Sequence, residues 1–259
     1  MKQIKYLLTV LITSIGIAVF SQNIANTAFK SGEVIRLKGS YFMSNLWADL
    51  AEIKMEVSDF AAEGKQLYSL KATFSTYSNY DSFFKIRDLY QSWIGKSDLK
   101  PYIFKRNVDE GGFKFNMKYI IRRAALQAKY ELEKDGKTSA STIKIKDDTQ
   151  DLVSILYYIR TFDFEKMAVN KATTISVLVD DKINNITILY KGKETIKNDF
   201  LGQKACYKLA VSINQQGLLM KESNFLWLSA DKNKLPVQIK AEIPVGSIQI
   251  RLIDAKGIN

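Results

Sequence analysis

From Ile35 to Leu252 apolar and polar residues alternate along nearly every run of the chain, which is the period of a half-buried β-strand. Ile35, Leu37, Gly39 and Tyr41 interleave with Arg36, Lys38 and Ser40. Ala51, Ile53, Met55 and Val57 interleave with Glu52, Lys54 and Glu56, and Tyr68, Leu70, Ala72 and Phe74 follow a turn at Gly64. Ser78 to Phe83 reads as a short helical turn, and strand resumes at Phe84. Pro101–Val108 and Phe113–Tyr119 form a hairpin around Asp109-Glu110-Gly111-Gly112. Ala124–Leu132, where helix propensity competes, and Thr138–Ile145 follow, with Asp135-Gly136 turning between them. Later strands are Thr173–Val179, Ile186–Tyr190, Ala205–Ile213, Leu218–Leu228, Val237–Ile243 and Ser247–Leu252, the last two flanking Pro244-Val245-Gly246. The only prolines are Pro101, Pro236 and Pro244, which suits long uninterrupted strands.

One stretch, Asp147 to Phe164, departs from this pattern. Leu152, Ile155, Leu156 and Ile159 recur at i, i+3, i+4 and i+7, the stripe of an amphipathic helix. Asp148 is placed to cap its N-terminus, with Asp151 completing a capping-box-like pair. Arg160 stands where the helix dipole favours a cation, within reach of Asp163 or Glu165. A one-sided antiparallel sheet must cover its apolar face, and no other segment is both helical in period and apolar enough to do so. The expected fold is mainly β: a single strongly curved antiparallel sheet, a half-barrel or open barrel, with one helix packed on or capping the concave face.

The N-terminus reads as a sorting signal. Lys2 and Lys5 precede an uncharged apolar run from Tyr6 to Phe20, and Val19-Phe20-Ser21 resembles a signal-peptidase site. The run is shorter than the roughly 20 residues that span a bilayer. Residues 1–21 are thus expected to be a signal peptide, 22–30 a flexible lead, and 31–259 a single β-rich domain exported to the periplasm or cell envelope. The formal charge of +11 falls to +9 once Lys2 and Lys5 are removed. The lysines alternate with apolar residues instead of clustering, so they read as a solvated sheet face and not as a nucleic-acid surface. Cys206 is the sole cysteine, which excludes an intramolecular disulfide, and it reads as a buried thiol. Histidine is absent, which removes Ser-His-Asp and Cys-His catalysis and the usual ligands of catalytic zinc. Paired carboxylates for glycoside hydrolysis stay open, because separations are not legible in a sequence. No phosphate loop or dinucleotide fingerprint occurs. A transmembrane β-barrel is disfavoured by mid-strand charges such as Arg36, Lys38, Lys129 and Lys204, each cation costing about 2–4 kcal/mol at mid-depth on a lipid face.

Candidate residues divide between structure and ligand. Asp147, Asp148 and Asp151 lack the glycine and distal glutamate of a calcium loop, so capping is expected and no metal or cofactor is. Trp227, Asp231 and Pro236 read as a strand, a turn and a re-entering strand, and Gly246 as a hairpin turn. A curved sheet over one short helix can leave a cavity, and then Leu152, Ile155, Leu156, Ile159, Phe162 and Phe164 are the residues expected to line it.

Three runs together carry a family likeness: Asp151-Leu-Val-Ser-Ile-Leu-Tyr-Tyr-Ile-Arg160; Gly192-Lys-Glu-Thr-Ile196 with Gly202 to Cys206; and Trp227-Leu-Ser-Ala-Asp231 through Pro236-Val237 to Gly246. Gly32-Glu33 and Phe84-Lys-Ile-Arg-Asp88 also fit. The chain resembles the exported bacterial domain-of-unknown-function family 3108 from about Ser31 to Leu252. The resemblance implies a fold-level relation to periplasmic lipoprotein carriers, whose curved half-barrel is closed by helices over an apolar cavity. It implies a lipid ligand by analogy and supplies no catalytic residues.

The expectation is a monomeric, non-enzymatic envelope protein that no longer spans a membrane once its signal is removed. It holds a lipid or other apolar ligand, or else serves as a structural or protein-interaction module with a self-filled core and an envelope protein as partner. Protein recovered from the cell envelope should begin at Gln22 on N-terminal sequencing; intact Met1 in the membrane fraction would defeat the assignment.

Overall fold

The computed structural model describes residues 26–43, 46–214, 224–242 and 246–259. The segment read as a sorting signal, most of the Gln215-Gln216-Gly217 to Leu228 run before Phe225, and Ile243-Pro244-Val245 lie outside them.

All fourteen strands belong to one antiparallel sheet, laid out as two arms that meet at its centre. The first arm runs outward through β1 (Val34–Met43), β2 (Leu46–Ala62), β3 (Lys65–Thr76), β4 (Arg87–Gly95), β5 (Pro101–Glu110), β6 (Phe113–Arg122), β7 (Gln127–Lys134) and β8 (Lys137–Lys144). The chain then crosses to the opposite edge through α1 (Ser154–Ile159). It returns inward through β9 (Ala172–Val179), β10 (Lys182–Asn198), β11 (Gly202–Asn214), β12 (Phe225–Ser229), β13 (Pro236–Glu242) and β14 (Ser247–Lys256). β14 pairs with β1, so the two ends of the domain meet mid-sheet and the edges β8 and β9 are left for the helical crossing to bridge. The sheet is not closed into a barrel. Register shifts at Arg36/Leu37, Gly39/Ser40, Trp93/Ile94 and Tyr190/Lys193 put extra residues into single strands, and such bulges bend a sheet.

The concave face carries two packed clusters with α1 between them. Val153 and Tyr157 face Ile35, Met55, Leu70 and Phe104 on the first arm. Ile155 and Ile159 face Val177, Ile188, Leu209 and Leu228 on the second. The helix is therefore buried on more than one side. Leu152 and Leu156, expected in the packed stripe, are only half-buried, while Val153, Tyr157 and Arg160 are fully enclosed.

The helix is also shorter than Asp147–Phe164. Gln150 is taken by the edge of β9 instead: its N–H donates to Ser176 O at 2.8 Å and its carbonyl accepts from Leu178 at 2.9 Å. This moves the cap by one turn. Asp148 stands exposed in the preceding turn, and Asp151 does the capping expected of it. Its Oδ1 accepts the Val153 and Ser154 N–H groups at 2.9 and 2.8 Å, and Ser154 Oγ accepts the Asp151 N–H at 2.8 Å in a reciprocal box. Its second oxygen accepts the Ser92 hydroxyl at 2.5 Å, tying the helix start to β4.

Arg160 does not pair with Asp163 or Glu165, which instead bind Lys166 and Lys193. It is buried to 1 % and meets Glu33, itself 0 % exposed, through two bonds of 2.7 Å. Its remaining donors reach Asn233 O and Ala28 O. The lead into β1 is accordingly packed and not flexible over its described part: Ala28 and Phe29 are core residues, and the Phe29 ring meets Tyr157 edge-on at 4.9 Å.

Removing one member of this pair strands the other charge in the core. Arg160→Met is expected to cost about 3–5 kcal/mol in urea unfolding, whereas Arg160→Met combined with Glu33→Leu should cost clearly less, because no unpaired charge remains.

Candidate functional site

Away from the helix the concave face is not filled. At that end β1 to β5 and β14 line an apolar cavity of about 500 Å³. Ile53, Phe74, Tyr90 and Ile250 form the wall it shares with the main core. Its roof is the connection between β3 and β4, which contributes Tyr80, Phe83, Phe84 and Ile86. A 3-10 turn at Ser78–Tyr80 starts this roof, as the sequence implied, but strand pairing resumes only with the Ile86–Glu110 bridge, and β4 itself begins at Arg87.

Polar contacts clamp both ends of the roof. Asp81 accepts the Thr76 hydroxyl at 2.7 Å and the Arg87 guanidinium at 2.6 Å, and Arg87 also donates to the carbonyls of Thr76 and Ile86. The loop is thereby held with two phenylalanines over the cavity. Phe83 is 86 % exposed. The Phe84 ring lies so close to Gly111 that a Cβ there would approach it to 2.9 Å, and φ at Gly111 is +56°, a conformation that also favours glycine.

One charged cluster interrupts the apolar lining. Asp88 is 5 % exposed, and its carboxylate accepts the Asp109 N–H at 3.0 Å and the Tyr90 hydroxyl at 3.2 Å. The Glu110 side chain hydrogen-bonds Asp88, and burial together with that neighbour raises its carboxyl above the ordinary glutamate range. Arg106 donates to the far side of the Tyr90 hydroxyl at 3.0 Å and pairs with Asp180 at 3.3 Å. Burial pushes the Tyr90 phenol up to about 12. Carboxyls in direct hydrogen bond stand closer than the about 5 Å or more that separates glycosidase pairs, so this pair does not match that chemistry.

The six residues expected to line a ligand site do not line this cavity. Ile155, Ile159 and Phe164 are buried in the second cluster, and Leu152, Leu156 and Phe162 pack beside the clusters. Phe164 meets Tyr207 at 4.9 Å, so rings fill the volume beneath the helix. The signal for the real cavity was the adjacent Phe83-Phe84 in an otherwise polar connection, together with acids at both ends of the neighbouring strands.

The remaining singled-out residues are architectural. Trp227 lies on β12, buried, and its indole N–H donates to Glu194 at 3.2 Å. Asp231 closes the turn after it, accepting the N–H groups of Asn233 and Lys234 and pairing with Lys204 at 2.7 Å. Pro236 opens β13. Gly246 has φ +86°, and a Cβ there would meet Phe42 O at 2.1 Å. Cys206 is buried, and burial pushes its thiol up to about 12.

An open, curved antiparallel β sheet defines the class of fold. It is shared with the crystal structure of a beta-barrel-like protein of domain of unknown function DUF1849 from Brucella abortus, at a TM-score of 0.60 and 9% identity, over 88% of this chain and 98% of that one. A family model described as "Protein of unknown function (DUF3108)" matches residues 35–253, and the chain belongs to that family, as its motifs implied. No curated protein matches the sequence.

The raised Glu110 carboxyl has a stability consequence. Its protonated form is favoured in the folded state, so its contribution is fully present below the ordinary value of 4.5 and is lost as pH rises through the higher folded value. Asp88 faces it from β4 and opposes ionisation, while Arg106 on β5 favours it. Thermal melts from acid to neutral pH should show Glu110→Gln gaining on the wild type as pH rises above 4.5, with the two converging below it.

Proposed function

We propose that this is an exported, non-enzymatic cell-envelope protein that holds a lipid or other hydrophobic ligand in the cavity at the open end of its sheet. The observation that carries the reading is the cavity itself: about 500 Å³, walled by aliphatic and aromatic side chains, on a face the helix leaves uncovered. Small-molecule sites commonly occupy about 300–1,000 Å³ and combine apolar walls with a few placed polar groups. The sorting signal read from Lys2, Lys5 and the run to Phe20 supports export. The absence of histidine and the buried, high-pKa Cys206 thiol support a non-catalytic role.

Among the described residues no helix is long and apolar enough to cross a membrane. The sheet keeps two edges, and an open edge is not tolerated in hydrocarbon, which supports a domain that works beside the membrane. The likeness to lipoprotein carriers enters as analogy alone. A second reading, an interaction module with a self-filled core, draws on the packed rings beneath the helix around Phe164.

Native mass spectrometry of protein purified without detergent separates the two. A co-purifying mass of lipid size, lost on Phe74→Asp, supports the ligand reading. A clean apo mass across preparations from the envelope would favour the module.

A further inference from the structure

The chemistry of the cavity wall narrows what can sit in it, an argument that rests on the ligand reading above. Among the described residues that line the cavity, the ones that can carry charge at neutral pH are Asp88 and Glu110, and no lysine or arginine joins them. We propose that the ligand is an apolar chain ending in a protonated amine, held between the Asp88 and Glu110 carboxyls.

Four observations point this way. First, Asp88 is fixed in place, with one oxygen on the Asp109 N–H at 3.0 Å and the other on the Tyr90 hydroxyl at 3.2 Å. Second, the nearby cation does not line the cavity: Arg106 lies behind the Tyr90 hydroxyl and pairs with Asp180 at 3.3 Å. Third, Glu110 lines the same cavity as Asp88, and burial beside that neighbour raises its carboxyl above the ordinary glutamate range. An ammonium group supplies N–H donors to both acids, and its single positive charge offsets one of their negative charges and eases the ionisation of Glu110. Fourth, Tyr80, Phe83, Phe84 and Tyr90 surround the same space, and aromatic faces attract cations.

A carboxylate or phosphate head would instead place a further anion beside two acids in a poorly solvated wall. An alcohol would fit and could donate to a carboxylate, but it carries no charge to offset the two acids.

Isothermal titration of the purified full chain at neutral pH with decylamine, decanol and decanoate, each below its micelle concentration, tests the assignment. Decylamine should bind about tenfold tighter than decanol, since a charged donor facing a carboxylate exceeds a neutral donor there by about one decade in affinity, and decanoate should be weakest. Glu110→Gln, at a half-buried position, should retain decanol binding and lose most of the amine advantage. Decylamine no tighter than decanol, or decanoate tighter than either, overturns the amine assignment and leaves the cavity reading standing. A full amine preference in Glu110→Gln overturns the role given to Glu110. Silence from decylamine, decanol and decanoate alike overturns the cavity reading, and this inference with it. The wild-type series requires no variant, so a folding defect in Glu110→Gln leaves the main comparison intact.

Discussion

Arg160 and Glu33 meet where three separate pieces of the chain must converge. β8 and β9 follow one another in sequence yet form opposite edges of the sheet, so the segment between them has to cross the whole concave side. Arg160 ends the single helix of that crossing. Its guanidinium takes the Glu33 carboxylate just before β1, the Asn233 carbonyl between β12 and β13, and the Ala28 carbonyl in the lead. Phe29 and Tyr157 lie against it at 5.4 and 5.2 Å. A buried ion pair adds little net stability against an apolar replacement, because desolvation offsets attraction. What it supplies is position: a planar, five-donor group is satisfied in only one arrangement of helix, lead and turn. One polar group nearby is less well served. The Tyr157 hydroxyl is buried without a partner among the described residues, so its contribution comes from its ring.

That anchoring divides the concave face in two. On the helix side, rings from both arms fill the space. On the other side the helix does not reach, and only the clamped Thr76–Arg87 connection roofs the surface. The bulge opposite Gly39/Ser40, where Leu50 is the extra residue of β2, lies at this end, and Gly39, Ser40 and Leu50 all line the cavity. The filled half supplies cohesion and the roofed half supplies room. The convex face meanwhile absorbs much of the charge. Arg36 grips Glu52 with bonds of 2.9 and 2.7 Å, and Lys38 and Lys129 pair with Asp49 and Glu131. Exposed pairs of this kind contribute little individually, and here they leave alternating signs along the strands.

Much of this could be read from residue order. Alternation at Ile35–Tyr41, Ala51–Val57 and Tyr68–Phe74 places side chains on one face with no knowledge of neighbours, because the strand period is a property of the backbone. The turns at Gly64 and Asp135-Gly136 were equally local, since the chain reverses where residues accept unusual dihedrals: Gly64 lies at φ +73° and Asp135 at +52°. The sequence therefore determined by itself that this is a curved antiparallel sheet with one short helix, and that Asp151 would serve the start of that helix. The tertiary structure alone decided where the helix begins, because β9 claims Gln150 for its edge. It also decided that Arg160 is buried, because the partner that makes burial tolerable, Glu33, lies 127 residues away. The cavity belongs to the same category. Its wall is drawn from β1 to β5, β14 and one connection, and the space between them is set by bulges and curvature that no single run of residues encodes.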